Sequence, residues 1–204
     1  MKTLYIATSN QGKQEEIEKF AQLYGDSVAL LFPDKLTALD VDESGSTFEE
    51  NALIKARAYQ ASVNDDSLYY VGDDSGIAIP ALDGEPGVFT RRWAGYEMTD
   101  QEILDYCLEK MKDLKGSDRK AVFKTVLAVI SPDGSVEYFY GEMPGRILEE
   151  PLETGPQPGF PFRSIFWVDD IEMPIYELHS LGMDERKGFL NHREKAFKQL
   201  FLES

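Results

Sequence analysis

The residues best able to do chemistry are two carboxylates, Asp73 and Asp74, that follow the apolar run 68–72. Neighbouring side chains of an extended chain point in opposite directions, so one acid can face a ligand while the other anchors its loop. Glu43, in the polar segment 34–46, is another carboxylate. Mg²⁺ usually takes one or two carboxylates, with phosphate oxygens completing its shell. The alternatives are a turn cap at Asp73–Asp74 and a solvated acidic loop at Glu43.

A possible phosphate cradle lies between the first predicted strand and the first predicted helix. Thr8, Ser9 and Asn10 supply hydroxyl and amide groups there, and Lys13 follows within one helical turn. The first amide groups of a helix are unpaired and attract anions. The segment lacks the GxxxxGK[ST] spacing of a P-loop. The alternative is an ordinary helix cap with a solvated lysine.

Two further groups carry cations. Asn51 and Lys55 are four residues apart on a predicted helix and therefore share a face. Lys187, His192 and Arg193 lie near the start of the last predicted helix. Cations at a helix N-terminus oppose the dipole, which favours a role for them in binding a base or a carbonyl edge. The alternatives are a lysine that snorkels beside the core and a solvated helix start.

Strands and helices alternate in the first half of the chain, and a hairpin lies in the middle, which indicates a mixed α/β fold. No repeat, low-complexity tract or linker divides the chain, so residues 1–204 are expected to form one domain. The predicted strands are 4–7, 28–32, 68–72, 120–130, 136–141 and 165–168, and the predicted helices begin near residues 11, 47, 99 and 191.

Composition excludes several classes of function. Lys and Arg number 21 against 37 Asp and Glu, and the net charge of −16 argues against binding to nucleic acid or an anionic membrane. The single Cys107 cannot form an intrachain disulfide. Apolar runs such as 28–32 and 126–130 are far shorter than the ~18 residues of a membrane span. The sequence therefore predicts a soluble, cytoplasmic protein.

Taken together and in order, these segments resemble the inosine/xanthosine triphosphate pyrophosphatases, the house-cleaning enzymes for non-standard purine nucleotides. The resemblance covers nearly the whole chain. Any one segment would be a weak signal, but their combination is specific. The segments are TSNQGK at 8–13, TFEENALIKA at 47–56, DDSG at 73–76, GEPGV at 84–88 and NHR at 191–193.

The resemblance implies an α/β fold with a long mixed central sheet flanked by helices, in one domain of two lobes with a cleft between them. It implies a homodimer that hydrolyses a small nucleoside triphosphate to the monophosphate and pyrophosphate with Mg²⁺. Glu43 and Asp74 would hold the metal, Asp74 and Lys13 would be catalytic, and Asp73 would support Asp74. The expected substrate-binding residues are Thr8, Ser9, Asn10, Lys13, Lys55, Ser75, Phe160, Arg163, Lys187, His192 and Arg193.

The chain departs from the family pattern in the segment expected to read the base. Phe160 is kept and could stack on a base. Arg163 stands where the family has an aspartate, Ser164 where it has a proline, and Asn191 where it has a serine. Replacing an acceptor by a cationic donor leaves two alternatives to an ITP-type preference, namely a shifted or relaxed base preference. A catalytically silent nucleotide-binding protein is a third alternative.

Overall fold

The computed structural model describes residues 1–152, 159–178, 181, 185–186 and 188–202. The chain divides into two compact units. Unit 1 comprises Met1–Ser75, Lys124–Glu142 and Asn191–Ser204, and unit 2 comprises Gly76–Phe123 and Met143–Leu190. Among the described residues, no helix has the length and apolar character needed to cross a membrane.

The described residues form a mixed α/β fold in which strands and helices alternate only in the first part of the chain. The strands are β1 (Lys2–Ile6), β2 (Val28–Leu31), β3 (Tyr69–Ala78), β4 (Pro86–Gly87), β5 (Lys120–Ile130), β6 (Val136–Ile147), β7 (Phe166–Val168) and β8 (Met173–Pro174). The α-helices are α1 (Gln11–Tyr24), α2 (Phe48–Val63), α3 (Asp100–Lys110), α4 (Ile175–Leu178) and α5 (His192–Leu202).

Unit 1 is built on a sheet in which the strands follow the order β2-β1-β3-β5-β6. Strand β1 is parallel to both β2 and β3. Because side chains alternate across a strand, Leu4, Ile6 and Val71 face α1 and α5, whereas Tyr5 and Tyr70 face α2. Helices therefore cover both faces of this sheet. The alternation sends Asp73, two residues after Val71, to one face and Asp74 to the other.

Helix α2 packs directly on β3 at Gly72. A Cβ atom built on Gly72 would lie 1.9 Å from the backbone oxygen of Ala52, closer than real atoms approach. Glycine at this position therefore lets the helix rest on the strand one residue before the two aspartates. The close packing brings the face of α2 that carries Asn51 and Lys55 against Asp74.

Helix α5 approaches β6 in the same way at Gly141. A Cβ atom there would lie 1.7 Å from the backbone oxygen of His192. Asn191 caps this helix, since its Oδ1 accepts a hydrogen bond of 2.8 Å from the backbone N–H of Glu194. The N-terminus of α5, with His192 and Arg193, is thus held against the sheet.

Unit 2 has a core of its own. Strand β4 is antiparallel to the end of β3, and β6, β7 and β8 form antiparallel pairs. The core includes Ile77, Ile103, Leu104 and Phe166. Helix α3 begins where the sequence predicted a helix, and its start is a complete capping box between Thr99 and Glu102.

One wrong strand prediction concerns the site itself. The third strand was predicted to end at residue 72, with Asp73 and Asp74 after it, but β3 continues to Ala78. Aspartate, serine and glycine favour turns, so the residue types of this segment predict the end of a strand. The strand continues because both carboxylates find partners inside unit 1 and because β4 pairs with Ile77 and Ala78. The predicted strand 136–141 was also too short, since β6 reaches Ile147.

Candidate active site

Asp73 is the centre of a buried ionic network on the α1 and α5 face of β3. Its side chain has no exposed surface. Oδ1 accepts hydrogen bonds from Lys13 Nζ at 3.3 Å and from Ser75 Oγ at 2.8 Å. Oδ2 accepts from Arg193 Nε at 2.9 Å. Burial alone would raise the pKa of Asp73, but the charges of Lys13 and Arg193 hold it far below its ordinary value.

Arg193 joins this aspartate to helix α1. Its Nη1 donates to Glu16 Oε2 at 2.6 Å, while its Nη2 donates to Ser75 Oγ at 3.2 Å. Burial opposes ionisation of the guanidinium, yet Asp73 and Glu16 raise the pKa of Arg193 above its ordinary value. Asn191 Nδ2 also donates to Glu16 Oε1, at 2.8 Å. The start of α5 is therefore tied both to β3 and to α1.

Thr125 on β5 links this network to the histidine. Its Oγ1 lies 2.8 Å from Ser75 Oγ and 2.6 Å from His192 Nδ1. Thr125 is 1% exposed and His192 is 9% exposed. The predicted site residues Lys13, Ser75, His192 and Arg193 thus belong to one hydrogen-bonded group.

Asp74 lies on the opposite face of β3, against α2. Lys55 Nζ is 2.9 Å from Asp74 Oδ1 and 2.7 Å from Glu43 Oε2, so both carboxylates converge on one ammonium group. Burial raises the pKa of Asp74, although the charge of Lys55 opposes that rise. Burial alone would lower the pKa of Lys55, but Asp74 and Glu43 outweigh it and raise the pKa.

Asn51 connects Asp74 to the loop that carries Glu43. This side chain is 1% exposed. Its Nδ2 donates to Asp74 Oδ2 at 3.3 Å, and its Oδ1 accepts from the backbone N–H of Gly45 at 2.8 Å. The amide therefore ties Asp74 to the loop that carries Glu43.

The first loop is arranged as a helix cap. Asn10 Oδ1 accepts from the backbone N–H of Lys13 at 3.1 Å, and the backbone N–H of Asn10 donates to Thr8 Oγ1 at 3.3 Å. Ser9 and Asn10 are exposed. Burial lowers the pKa of the Lys13 ammonium, and the charge of Asp73 offsets part of this. The charge of Lys55 lowers it further, so the two lysines act in a common electrostatic field.

The remaining predicted substrate contacts belong to unit 2. Phe160 is 39% exposed. Arg163 Nη2 donates to the backbone oxygen of Tyr176 at 3.4 Å, and burial lowers the pKa of its guanidinium. Ser164 is fully buried. Lys187 lies outside the described residues.

Unit 1 offers only a small number of carboxylate ligands for a hard divalent cation within its described residues. Within the described ranges, no three or more His, Cys, Asp or Glu side chains are grouped so that they could hold a metal ion. Glu43 and Asp74 are a pair of oxygen donors that already meet at the Lys55 ammonium. Two carboxylates suit Mg²⁺ when phosphate oxygens supply further ligands. The donor set therefore fits a magnesium ion that arrives with a phosphorylated substrate.

Sequence reasoning missed two residues that complete the site, Glu16 and Thr125, and it named Asn191 without giving it a role. A signal existed for Glu16, because it lies three residues after Lys13 and shares its helix face. Thr125 is a polar residue within an apolar strand. This pattern indicates a buried hydrogen-bond partner but does not identify it. Buried polar side chains are the clearest mark of the site in the structure; those in unit 1 are Asn51, Asp73, Asp74, Thr125, Asn191, His192, Arg193 and Glu194.

The chain is similar to known proteins over almost its full length. The sequence model of the Ham1 family matches residues 4–202. The dITP/XTP pyrophosphatase of Halalkalibacterium halodurans is 38% identical over 200 residues, which are 98% of this chain and 97% of the relative. The dITP/XTP pyrophosphatase of Thermus thermophilus is 38% identical over 195 residues, or 96% of this chain and 88% of the relative.

Two solved structures are similar in fold as well as in sequence. A HAM1 protein from Coxiella burnetii has a TM-score of 0.79 and 32% identity, covering 98% of this chain and 97% of that one. The Staphylococcus aureus Ham1 protein has a TM-score of 0.77 and 31% identity, covering 98% and 96%.

Proposed function

Because this chain belongs to the Ham1 family, we propose that it hydrolyses nucleoside triphosphates of non-standard purines to the monophosphate and pyrophosphate. ITP, dITP and XTP are the proposed substrates, and water attacks at the α-phosphorus. Two relatives are dITP/XTP pyrophosphatases, which supports the substrate class. The observation that carries the proposal is Asp74, a buried carboxylate between Lys55 and Asn51 at the junction of β3 and α2.

Asp74 is the proposed general base. Burial raises its pKa toward the working range of a base, and Lys55 and Asn51 fix the direction of its two oxygens. A carboxylate in this position accepts the proton of the attacking water. Asp73 is unsuited to that role, because the charges of Lys13 and Arg193 hold its pKa far below its ordinary value and make it a poor proton acceptor.

Lys13 and Lys55 are the proposed contacts of the triphosphate. Their ammonium groups offset the negative charge that grows on the pyrophosphate leaving group. The amide groups at the start of α1 add donors beside Lys13, which suits a phosphate. Thr8, Ser9, Asn10 and Ser75 remain proposed substrate contacts, together with Phe160, Arg163, Lys187, His192 and Arg193.

Glu43 and Asp74 are the proposed ligands of Mg²⁺. When bound, the ion would neutralise phosphate charge and polarise the reacting phosphoryl group. Asn51 ties Asp74 to the loop that carries Glu43 through its bonds to Asp74 and Gly45. Lys55, which contacts both carboxylates, is placed to neutralise them as well.

The proposal is tested by measuring pyrophosphate release from ITP, dITP, XTP and the standard triphosphates, with and without Mg²⁺. We expect release from the non-standard purines that stops when the metal is chelated. Binding of nucleotides without release of pyrophosphate from any of them would contradict hydrolysis and leave a nucleotide-binding protein.

A shifted or relaxed base preference is a second candidate, and Arg163 is the observation that favours it. The family pattern has an acceptor at this position, whereas this chain has a donor cation that is partly withdrawn from water. The same panel of triphosphates decides the point, since an ordinary preference for ITP and XTP would remove this candidate.

We also propose a homodimer acting in the cytoplasm, on the family resemblance and the nature of the substrate. Light scattering after size exclusion should give a mass of twice 23.1 kDa. A mass equal to that of one chain at working concentrations would contradict the dimer.

A further inference from the structure

A continuous chain of hydrogen bonds joins Asp73 to His192 inside unit 1. Ser75 Oγ donates to Asp73 Oδ1 at 2.8 Å, Thr125 Oγ1 lies 2.8 Å from Ser75 Oγ, and His192 Nδ1 lies 2.6 Å from Thr125 Oγ1. Asp73, Thr125 and His192 are all buried. Each hydroxyl has a single proton to donate, so the direction of one bond in the chain determines the next.

The direction of the chain is set at Asp73. The neighbouring Lys13 and Arg193 keep this carboxylate ionised, so it can only accept. A charge-assisted bond takes the Ser75 proton, because turning that proton toward Thr125 would put a serine lone pair against the carboxylate. Arg193 Nη2, a pure donor, supplies Ser75 with one of its two accepted bonds. The Thr125 hydroxyl must supply the other.

The bond between Thr125 and His192 then has only one possible direction. Thr125 has given its proton to Ser75, so at 2.6 Å its oxygen must accept from the imidazole. We propose that Thr125 is a positioning residue that holds His192 in the tautomer with the proton on Nδ1. In the neutral ring the acceptor is then Nε2, and any group bonded to Nε2 must be a donor.

The tautomer of His192 affects the choice of substrate if the proposed function holds and His192 contacts the base. A 6-oxopurine such as hypoxanthine or xanthine carries a proton on N1, whereas adenine has a lone pair there. An imidazole that can only accept at Nε2 can bond to the N1 proton of a 6-oxopurine, whereas it would face a second lone pair at N1 of adenine. Thr125, which is linked to Asp73 through Ser75, would therefore contribute to discrimination between ITP and ATP.

Nitrogen-15 NMR of the imidazole in nucleotide-free protein tests the assignment directly. A His179→Gln background leaves His192 as the only histidine signal, because the chain has two histidines. Recorded where the ring is neutral, the spectrum should show a protonated Nδ1 and an unprotonated Nε2. Thr125→Ser keeps the hydroxyl and should give the same pattern, whereas the isosteric Thr125→Val should give a mixture of tautomers or the Nε2–H form.

Kinetics test the consequence separately. We expect the ratio of kcat/KM for ITP to that for ATP to fall by about tenfold in Thr125→Val and to stay near the wild-type value in Thr125→Ser. An Nε2–H tautomer in the wild type, or an unchanged spectrum in Thr125→Val, would overturn the role of Thr125. A changed spectrum with an unchanged ratio would overturn the part concerning the base. If the wild type hydrolyses no triphosphate, the proposed function fails, whereas the tautomer assignment still stands or falls on the spectra.

Discussion

At the scale of single residues, the two adjacent aspartates of β3 have different environments because their side chains leave the strand on opposite faces. Asp73 is bonded by two cations and a hydroxyl, and the two cations hold its pKa far below its ordinary value. Asp74 has one lysine and one amide, and burial raises its pKa. Asp73 is therefore suited to stabilise the fold around the site, and Asp74 is suited to accept a proton.

The role of Asp74 predicts the effect of Asp74→Asn. The amide keeps the shape of the side chain but cannot accept a proton from water, so turnover should fall by roughly 10²–10⁴-fold. Nucleotide should still bind, as measured by calorimetry with dITP beside an assay of pyrophosphate release. Asp42→Asn, an exposed acid in the loop of Glu43, is the control and should keep the wild-type rate. A near-normal rate in Asp74→Asn would mean that another group is the base.

Lys13→Ala should act mainly on binding. Loss of a charge-assisted bond to a phosphate costs about 1.5–3 kcal/mol, which corresponds to a rise in KM of roughly 10- to 100-fold. The change in kcat should be smaller. Lys19→Ala, on an exposed face of the same helix, should leave both constants unchanged. If KM in Lys13→Ala equals that of the wild type, the lysine serves only as a partner of Asp73.

At the scale of elements, the site depends on how closely two helices approach the sheet of unit 1. Helix α2 reaches β3 over Gly72, and the N-terminus of α5 reaches β6 over Gly141. These approaches bring Asn51 and Lys55 to Asp74 and bring Arg193 to Asp73. A displacement of either helix by roughly one ångström would break bonds that are only 2.9–3.3 Å long.

Gly72→Ala tests this dependence. The added methyl group would meet the backbone oxygen of Ala52 at 1.9 Å, so the helix must move away from the strand. We expect a loss of about 1–3 kcal/mol in the free energy of unfolding, together with a clear loss of turnover because α2 carries Asn51 and Lys55. Denaturant titration and the pyrophosphate assay measure the two effects. Ser62→Ala, on an exposed part of α2, should change neither, and a fully stable, active Gly72→Ala would show that the packing is adaptable.

At the scale of the whole molecule, the net charge of −16 describes the surface more than the site. Lys13, Lys55 and Arg193 are largely withdrawn from water and lie against carboxylates of unit 1. The proposed function needs these cations, together with Mg²⁺ at Glu43 and Asp74, to bind a compact triphosphate, while the acidic surface repels long polyanions. The buried ion pairs also make global stability depend on pH.

The acid limb of the stability curve should depend on Asp73. A carboxyl with a lowered folded pKa contributes stability above its unfolded pKa of about 3.9 and loses it as the pH falls toward the folded value. Asp73→Asn leaves Arg193 and Lys13 buried without this charge, which should cost roughly 3–5 kcal/mol at pH 7. Below about pH 4 the curves of wild type and variant should converge, since the wild type then loses the same contribution.

The measurement is the free energy of unfolding by denaturant across the acid range. Asp26→Asn, in the exposed turn after α1, is the control, and its curve should run parallel to that of the wild type. A gap between wild type and Asp73→Asn that stays constant down to about pH 2 would contradict the proposed linkage.

The sequence by itself determined the early alternation of strands and helices and where most of the longer elements begin, because periodicity and capping are local. The start of the helix at Gln11, the strand over Lys120–Ile130 and the start of the helix after Thr99 were all predicted. The Ham1 family was also evident from the sequence, because its short segments recur in a fixed order. Lys13, Lys55 and Asp74 were named as candidate site residues because they lie in these short segments.

Only the tertiary structure decided which of these side chains contact one another and on which face of β3 they lie. Asp-Asp-Ser-Gly is locally typical of a strand end, but long-range partners continue β3 through both aspartates and send them to opposite faces. The local signals at Glu16, Thr125 and Asn191 do not identify their partners, which lie 50 to 177 residues away along the chain. Bonds between side chains so far apart in sequence depend on packing, and packing cannot be deduced from local pattern.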